Sequence, residues 1–121
     1  MKTNTEVRYA AHPDDVKHWD TERLRREHLV GSLFLDNTVT MVYTLYDRMI
    51  AGGARPAGEV LKLEPVDEVK ASFFLHRREM GIFNVGGMGR VRAGDSVFNL
   101  GFKEALYLGS GDREITFESS D

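Results

Sequence analysis

From Val30 onward the sequence alternates with a period of two, in short β-branched and aromatic runs interrupted by turn residues every eight to twelve positions. The runs are LVGSLFL, TVTMVYTLY, RMIAGG, EVLKL, ASFFL, GIFNV, GRVRAG, SVFNLG, EALYLG and REITFES. Asp36-Asn37, Gly52-Gly53, Gly86-Gly87, Gly94-Asp95 and Gly109-Ser110-Gly111-Asp112 stand between or at the ends of runs as expected turns. Pro56 and Pro65 fall at run ends, where a missing N–H costs no ladder bond. Many short strands without a long intervening helix predict an all-β, antiparallel sandwich or barrel rather than an α/β sheet.

The first 29 residues follow another rule. Pro13 followed by Asp14 and Asp15 resembles the first turn of a helix, with acids at its positive end. Asp20 or Thr21 is placed to cap a second helix through TERLRREHLV, where Leu24 and Leu29 form a thin apolar stripe. Residues 1–29 are thus expected as a helical arm and residues 30–121 as the barrel. His18 and His28 lie ten residues apart in the arm, too far to share one helix face as a metal pair.

The 121 residues suffice for one domain, and the absence of cysteine removes disulfides, thiolate metal sites and cysteine nucleophiles. With 16 Lys+Arg against 19 Asp+Glu the net charge is −3, the wrong sign for a chain that neutralises phosphates, so nucleic acid is not expected as a partner. No apolar run approaches membrane-spanning length, and the segment MKTNTEVRYAAHPDD has acids where a signal peptide has its apolar core. The expected location is the cytoplasm, without membrane association.

The stretch Ser72 to Glu114 looks like the two motifs of a cupin, a jelly-roll barrel or double-stranded β-helix. In that superfamily the first motif, H-x-H-x(3,4)-E-x(6)-G, and a P-x-G-x-x-H core in the second bring three histidines and a glutamate to one divalent metal. Glu79 followed by Gly86 fits the end of the first motif, but its histidine positions fall on Ser72 and Phe74, or on Phe73 and Leu75 with the shorter spacing. In the second, Gly109-Ser110-Gly111 occupies the P-x-G place and Glu114 the histidine position, while Lys103-Glu104 stands where Gly-Asp is usual. Glu79 and Glu114 without imidazole make a poor zinc site, so no metal is expected on this chain. His76 lies outside the ligand positions and reads as a strand-end or surface histidine.

A narrower resemblance covers the whole chain. TMVYTLYDRMIAGG (Thr40 to Gly53), FFLHRREMGIFNVGGMGRV (Phe73 to Val91) and LGFKEALYLGSGDREITF (Leu100 to Phe117), preceded by LRREHLVGSLF, are similar to the N-terminal half of the 4-deoxy-L-threo-5-hexosulose-uronate ketol-isomerases, or 5-keto-4-deoxyuronate isomerases. The resemblance implies a two-barrel, zinc-binding enzyme assembled as a homo-hexamer. Such an enzyme converts 5-keto-4-deoxyuronate to 3-deoxy-D-glycero-2,5-hexodiulosonate in pectin and uronate catabolism. It also implies that the zinc ligands lie in the C-terminal barrel, where an H-x-H-x(4)-E sequence lines up with Ser72, Phe74 and Glu79. On this view the chain is the non-metal half, inactive alone, contributing packing and oligomerisation.

A ketol shift moves a proton between adjacent carbons through an enediol, so it needs a base and an electrophile, and a uronate carboxylate is suited to a guanidinium. Arg48, Arg77, Arg78 and Glu79 are the polar groups set in otherwise apolar strand sequence, and hence the candidate substrate-binding residues. The competing expectation for Arg77, Arg78 and Glu79 is an ion pair that fixes assembly geometry. The alternative function is a non-catalytic cupin that binds a small sugar acid at a mouth lined by Arg48, Arg77 or Arg78. A third, the related 5-deoxyglucuronate isomerase, is disfavoured by the local match at FLHRREMG.

Overall fold

A computed structural model of the chain describes residues 1–65 and 72–120. In chain order the elements are β1 (Lys2–Arg8), α1 (Pro13–Val16), α2 (Thr21–His28), β2 (Thr38–Thr44), β3 (Ile50–Arg55), β4 (Leu61–Lys62), β5 (Met80–Phe83), β6 (Gly89–Ala93), β7 (Ser96–Leu100), β8 (Ala105–Leu108) and β9 (Ile115–Ser119). They form three sheets, ordered β1-β2-β3, β4-β9-β6-β7 and β5-β8. The fold is all-β, as the two-residue period predicts, and cupin-like, as the motif resemblance implies. No helix among the described residues is long and apolar enough to cross a membrane.

One core serves all three sheets. Val39, Met41 and Tyr43 from β2 meet Leu61, Val91, Ala93, Leu100, Leu108 and Ile115 from the other two. Alternation sets the facing: on β6, Val91 and Ala93 point inward while Arg90 and Arg92 are exposed. Arg90 is registered directly opposite Glu118 on β9, and the two side chains pair at 2.9 Å, a cross-strand contact on the solvated face.

The arm is not wholly helical. Lys2–Arg8 is a strand that pairs in parallel with β2, from Lys2 opposite Thr38 to Arg8 opposite Thr44. KTNTEVR has a single large apolar residue, Val7, so no alternation betrays it. A parallel pair cannot be joined by a tight turn, and residues 9–37 form the required crossover, carrying both helices. The helix signals are met: Pro13 opens α1 beneath an N-cap at His12, and the Asp20 carboxylate caps α2 by accepting from the Arg23 amide at 2.8 Å.

The crossover is held to the sheet by an aromatic stack. The Arg23 guanidinium lies 4.4 Å from the Trp19 ring, Trp19 packs on His28, and His28 Nε2 lies 3.2 Å from the Tyr46 hydroxyl. His28 is therefore part of the arm's anchor.

Two expected strands and one expected turn differ. LVGSLFL is an irregular segment laid against β3, where the Leu33 main chain lies so close to Gly53 that only a residue without Cβ fits. Gly52 and Gly53 are accordingly strand residues paired with Met41 and Thr40, their missing side chains used for close backbone approach rather than for turning. In ASFFL, Ala71 lies outside the described residues, and Ser72 to Leu75 are bends and turns. Phe74 and Leu75 both enter the one core, whereas a strand sends successive side chains to opposite faces.

Candidate functional site

The LHRRE segment and the GSGD loop, far apart in sequence, meet in the fold. The Gly111 amide donates to the Leu75 carbonyl at 2.8 Å, and His76 Nδ1 pairs with the Asp112 carboxylate. His76 is exposed, in a turn. The Arg113 guanidinium closes the loop by donating to the Gly109 carbonyl at 2.7 Å. The segments that carry the two motifs are thus tied together, though through Leu75, His76, Gly111 and Asp112 and not as a set of metal ligands.

The positions that hold metal in that superfamily do not converge. Ser72 is exposed, whereas Phe74, 7% exposed, and Leu75, fully buried, are core residues. Glu79 lies beside Tyr107, whose phenol is raised above its ordinary pKa chiefly by a hydrogen bond to that carboxylate, since ionising the donor would lose the bond. Glu114 is exposed and lies 3.6 Å from Lys62 Nζ. With a phenyl ring and an isobutyl group in the core, no imidazole at any ligand position, and two carboxylates engaged with different partners, the residues present do not fit zinc. Among the described residues no three His, Asp or Glu side chains come together as a metal-holding group.

Of the four candidate binding residues, the structure joins two. Asp47 and Arg48 both take positive φ at the tip of the β2–β3 hairpin, the geometry that matches strand twist. The exposed carbonyl of Arg48 accepts from Arg78 Nη1 at 2.8 Å, and the Arg78 guanidinium sits 5.4 Å from the Tyr43 ring. Arg77 is exposed, and Glu79 pairs with Tyr107 rather than with either arginine. Within the described residues of this one chain no ion pair joins Arg77 or Arg78 to Glu79, and Arg78 instead clamps a hairpin. Replacing Arg78 by methionine, which keeps the stem and loses the clamp, should cost about 1 kcal/mol in urea unfolding. Lysine should not restore it, because it cannot lie flat on Tyr43 while donating along the carbonyl direction; full recovery by lysine would contradict the clamp.

Two clefts lie elsewhere. One of about 330 Å³ is open and lined by His18, Trp19, Asp20, Glu22, Arg23 and Arg26. The other, about 80 Å³, lies between α2 and β2 and is lined by residues that include Arg8, His28, Val42 and Tyr46. None of Arg48, Arg77, Arg78 or Glu79 lines either cleft. The tyrosines that organise the candidates, Tyr43 and Tyr107, carry no signal of their role in sequence: one reads as core, the other as one apolar residue among several in EALYLG.

No protein-family model matches the chain. Individual proteins match strongly. All 121 residues align at 65% identity with 4-deoxy-L-threo-5-hexosulose-uronate ketol-isomerase 1 of Bacteroides thetaiotaomicron, covering 43% of that protein. The namesake enzyme of Bacteroides fragilis matches at 63% over the same span, again over 43% of its length. That of Bacillus subtilis matches at 47% over 114 residues, which are 94% of this chain and 42% of the relative. The chain spans less than half the length of the curated relatives it matches. Along its whole length it corresponds to the N-terminal half of the 4-deoxy-L-threo-5-hexosulose-uronate ketol-isomerases, the family that its motifs resemble.

Proposed function

We propose that the chain acts as the metal-free N-terminal part of a 4-deoxy-L-threo-5-hexosulose-uronate ketol-isomerase, an arm at residues 1–29 and a barrel at residues 30–121. It packs against and positions the remainder of the enzyme. The zinc, the proton-transfer groups and most substrate contacts belong to that remainder, in a cytoplasmic homo-hexamer that serves pectin and uronate catabolism. The observation that carries this reading is the match over the full chain to proteins more than twice as long. It is supported by the side chains at the ligand positions, which are spent on the core, on Tyr107 and on Lys62. Arg78, clamped to the Arg48 carbonyl, is a positioning residue in this scheme, and Arg77 is the cationic candidate left to meet a substrate carboxylate.

The test is turnover. The purified 121-residue chain, supplied with zinc, should show no isomerisation of 5-keto-4-deoxyuronate above the uncatalysed rate. A chimera in which it replaces the aligned segment of the Bacteroides thetaiotaomicron relative should be active. Turnover by the short chain alone, or an inactive but folded chimera, would overturn the reading.

A further inference from the structure

The small β5–β8 sheet has a core face and an exposed face, and the exposed one is unusually apolar. Register places Gly81 opposite Tyr107 and Phe83 opposite Ala105, all four exposed, while Met80, Ile82, Leu106 and Leu108 pack on or into the core. Phe83 is 76% exposed and Tyr107 65%. The loops continuing from the sheet add Phe102 at 61% and Val85 at 60%.

These loops are fastened to each other. The Asn84 carbonyl accepts from the Lys103 amide at 2.7 Å, and the Asn84 amide donates to the Glu104 carbonyl at 3.0 Å, which extends the β5–β8 pairing past Phe83. The Asn84 side chain donates to the carbonyls of Gly87 and Leu100 and accepts from the Gly86 amide. Polar groups edge the patch: Glu79 beside Tyr107, and Lys103 with its ammonium 5.2 Å from the Phe102 ring. An apolar centre, a polar rim and a hydrogen-bonded frame are the anatomy of a protein interface.

The end of β9 identifies the occupant. The Ser120 amide donates to the Met88 carbonyl at 2.9 Å, in the loop that carries Val85. The Met88 side chain lies over Gly101, the neighbour of Phe102. Residues that follow Ser120 in a chain as long as the relatives' therefore set out from the margin of this patch.

We propose that the exposed face of β5–β8, centred on Phe83, Phe102 and Tyr107, is the seat of the C-terminal remainder of the same ketol-isomerase chain. This rests on the function proposed above and names the surface through which the half-chain does its positioning. The seat needs no movement of the barrel, because its loops are already held.

The test compares side-chain hydroxyl-radical footprinting of the 121-residue chain with that of the chimera that carries it in the Bacteroides thetaiotaomicron relative. Phe83, Phe102 and Tyr107 should label several-fold less in the chimera, while exposed Tyr9, remote in the chain, labels equally in both. Phe83→Ser should leave the unfolding midpoint of the short chain unchanged and lower that of the chimera. An active chimera with undiminished labelling of the three residues would overturn the seat while leaving the proposed function standing. Protection already present in the short chain and growing with its concentration would overturn it in favour of a second copy. An inactive chimera with the three residues protected would instead count against the proposed function alone.

Discussion

Replacing Phe74 by histidine, which restores one imidazole to the metal motif, is expected to remove on the order of 3–5 kcal/mol of folding stability and to add no zinc affinity. Phe74 is 7% exposed and packs in the common core with Leu75, Leu108 and Ile115. The substitution removes apolar area, leaves a void the neighbours fill incompletely, and buries ring nitrogens that lack partners there. A typical domain is held together by roughly 5–15 kcal/mol, so a loss of that size is a large fraction of the total. Zinc cannot offset it, because Glu79 and Glu114 are turned toward Tyr107 and Lys62. Ser72→His, at an exposed position, serves as the control and should change stability by no more than about 0.5 kcal/mol. Urea unfolding with and without zinc measures both; a midpoint for Phe74→His that rises with zinc would show that the old ligand geometry survives.

The second large effect is at Gly53. A Cβ there would lie 2.5 Å from the Leu33 carbonyl oxygen and 2.8 Å from the Leu33 Cβ. The obstacle includes main chain, which cannot rotate away as a side-chain tip can, so Gly53→Ala should cost about 1–3 kcal/mol. The loss should be accompanied by faster amide exchange where residues 29–35 cover β3. Gly109→Ala, whose Cβ would meet nothing within 4 Å, is the matched control and should be near neutral. Equal midpoints for the two variants would mean that the cover is loose in solution.

Strand content and the chemistry missing from this chain were legible because both depend on residue type at a spacing. Alternation in GRVRAG and SVFNLG marks β6 and β7, Gly94 marks the turn between them with its positive φ, and Phe74 in place of histidine is visible in one letter. What escaped depends on partners distant in sequence. KTNTEVR becomes a strand only because β2 offers an edge to its backbone, and a polar sequence can accept that offer without advertising it. LVGSLFL has strand composition but is spent as a cover, since Gly53 lets its main chain lie flat on the sheet. The arginines were recognisable as unusual, but whether a guanidinium meets a carboxylate or a hairpin carbonyl is decided by a turn some thirty residues upstream, where Asp47 and Arg48 take positive φ.

The parallel pairing of β1 with β2 also sets a timetable. Lys2 leaves the ribosome long before its partner Thr38, and at about 5–20 residues per second the first strand waits a few seconds for the second. During that interval only local structure can form, and α1 and α2, four and eight residues long, are too short to be more than transient before docking, despite the caps at His12 and Asp20. The crossover therefore settles as β1 docks on β2, and β1, made before its partner, must wait for it.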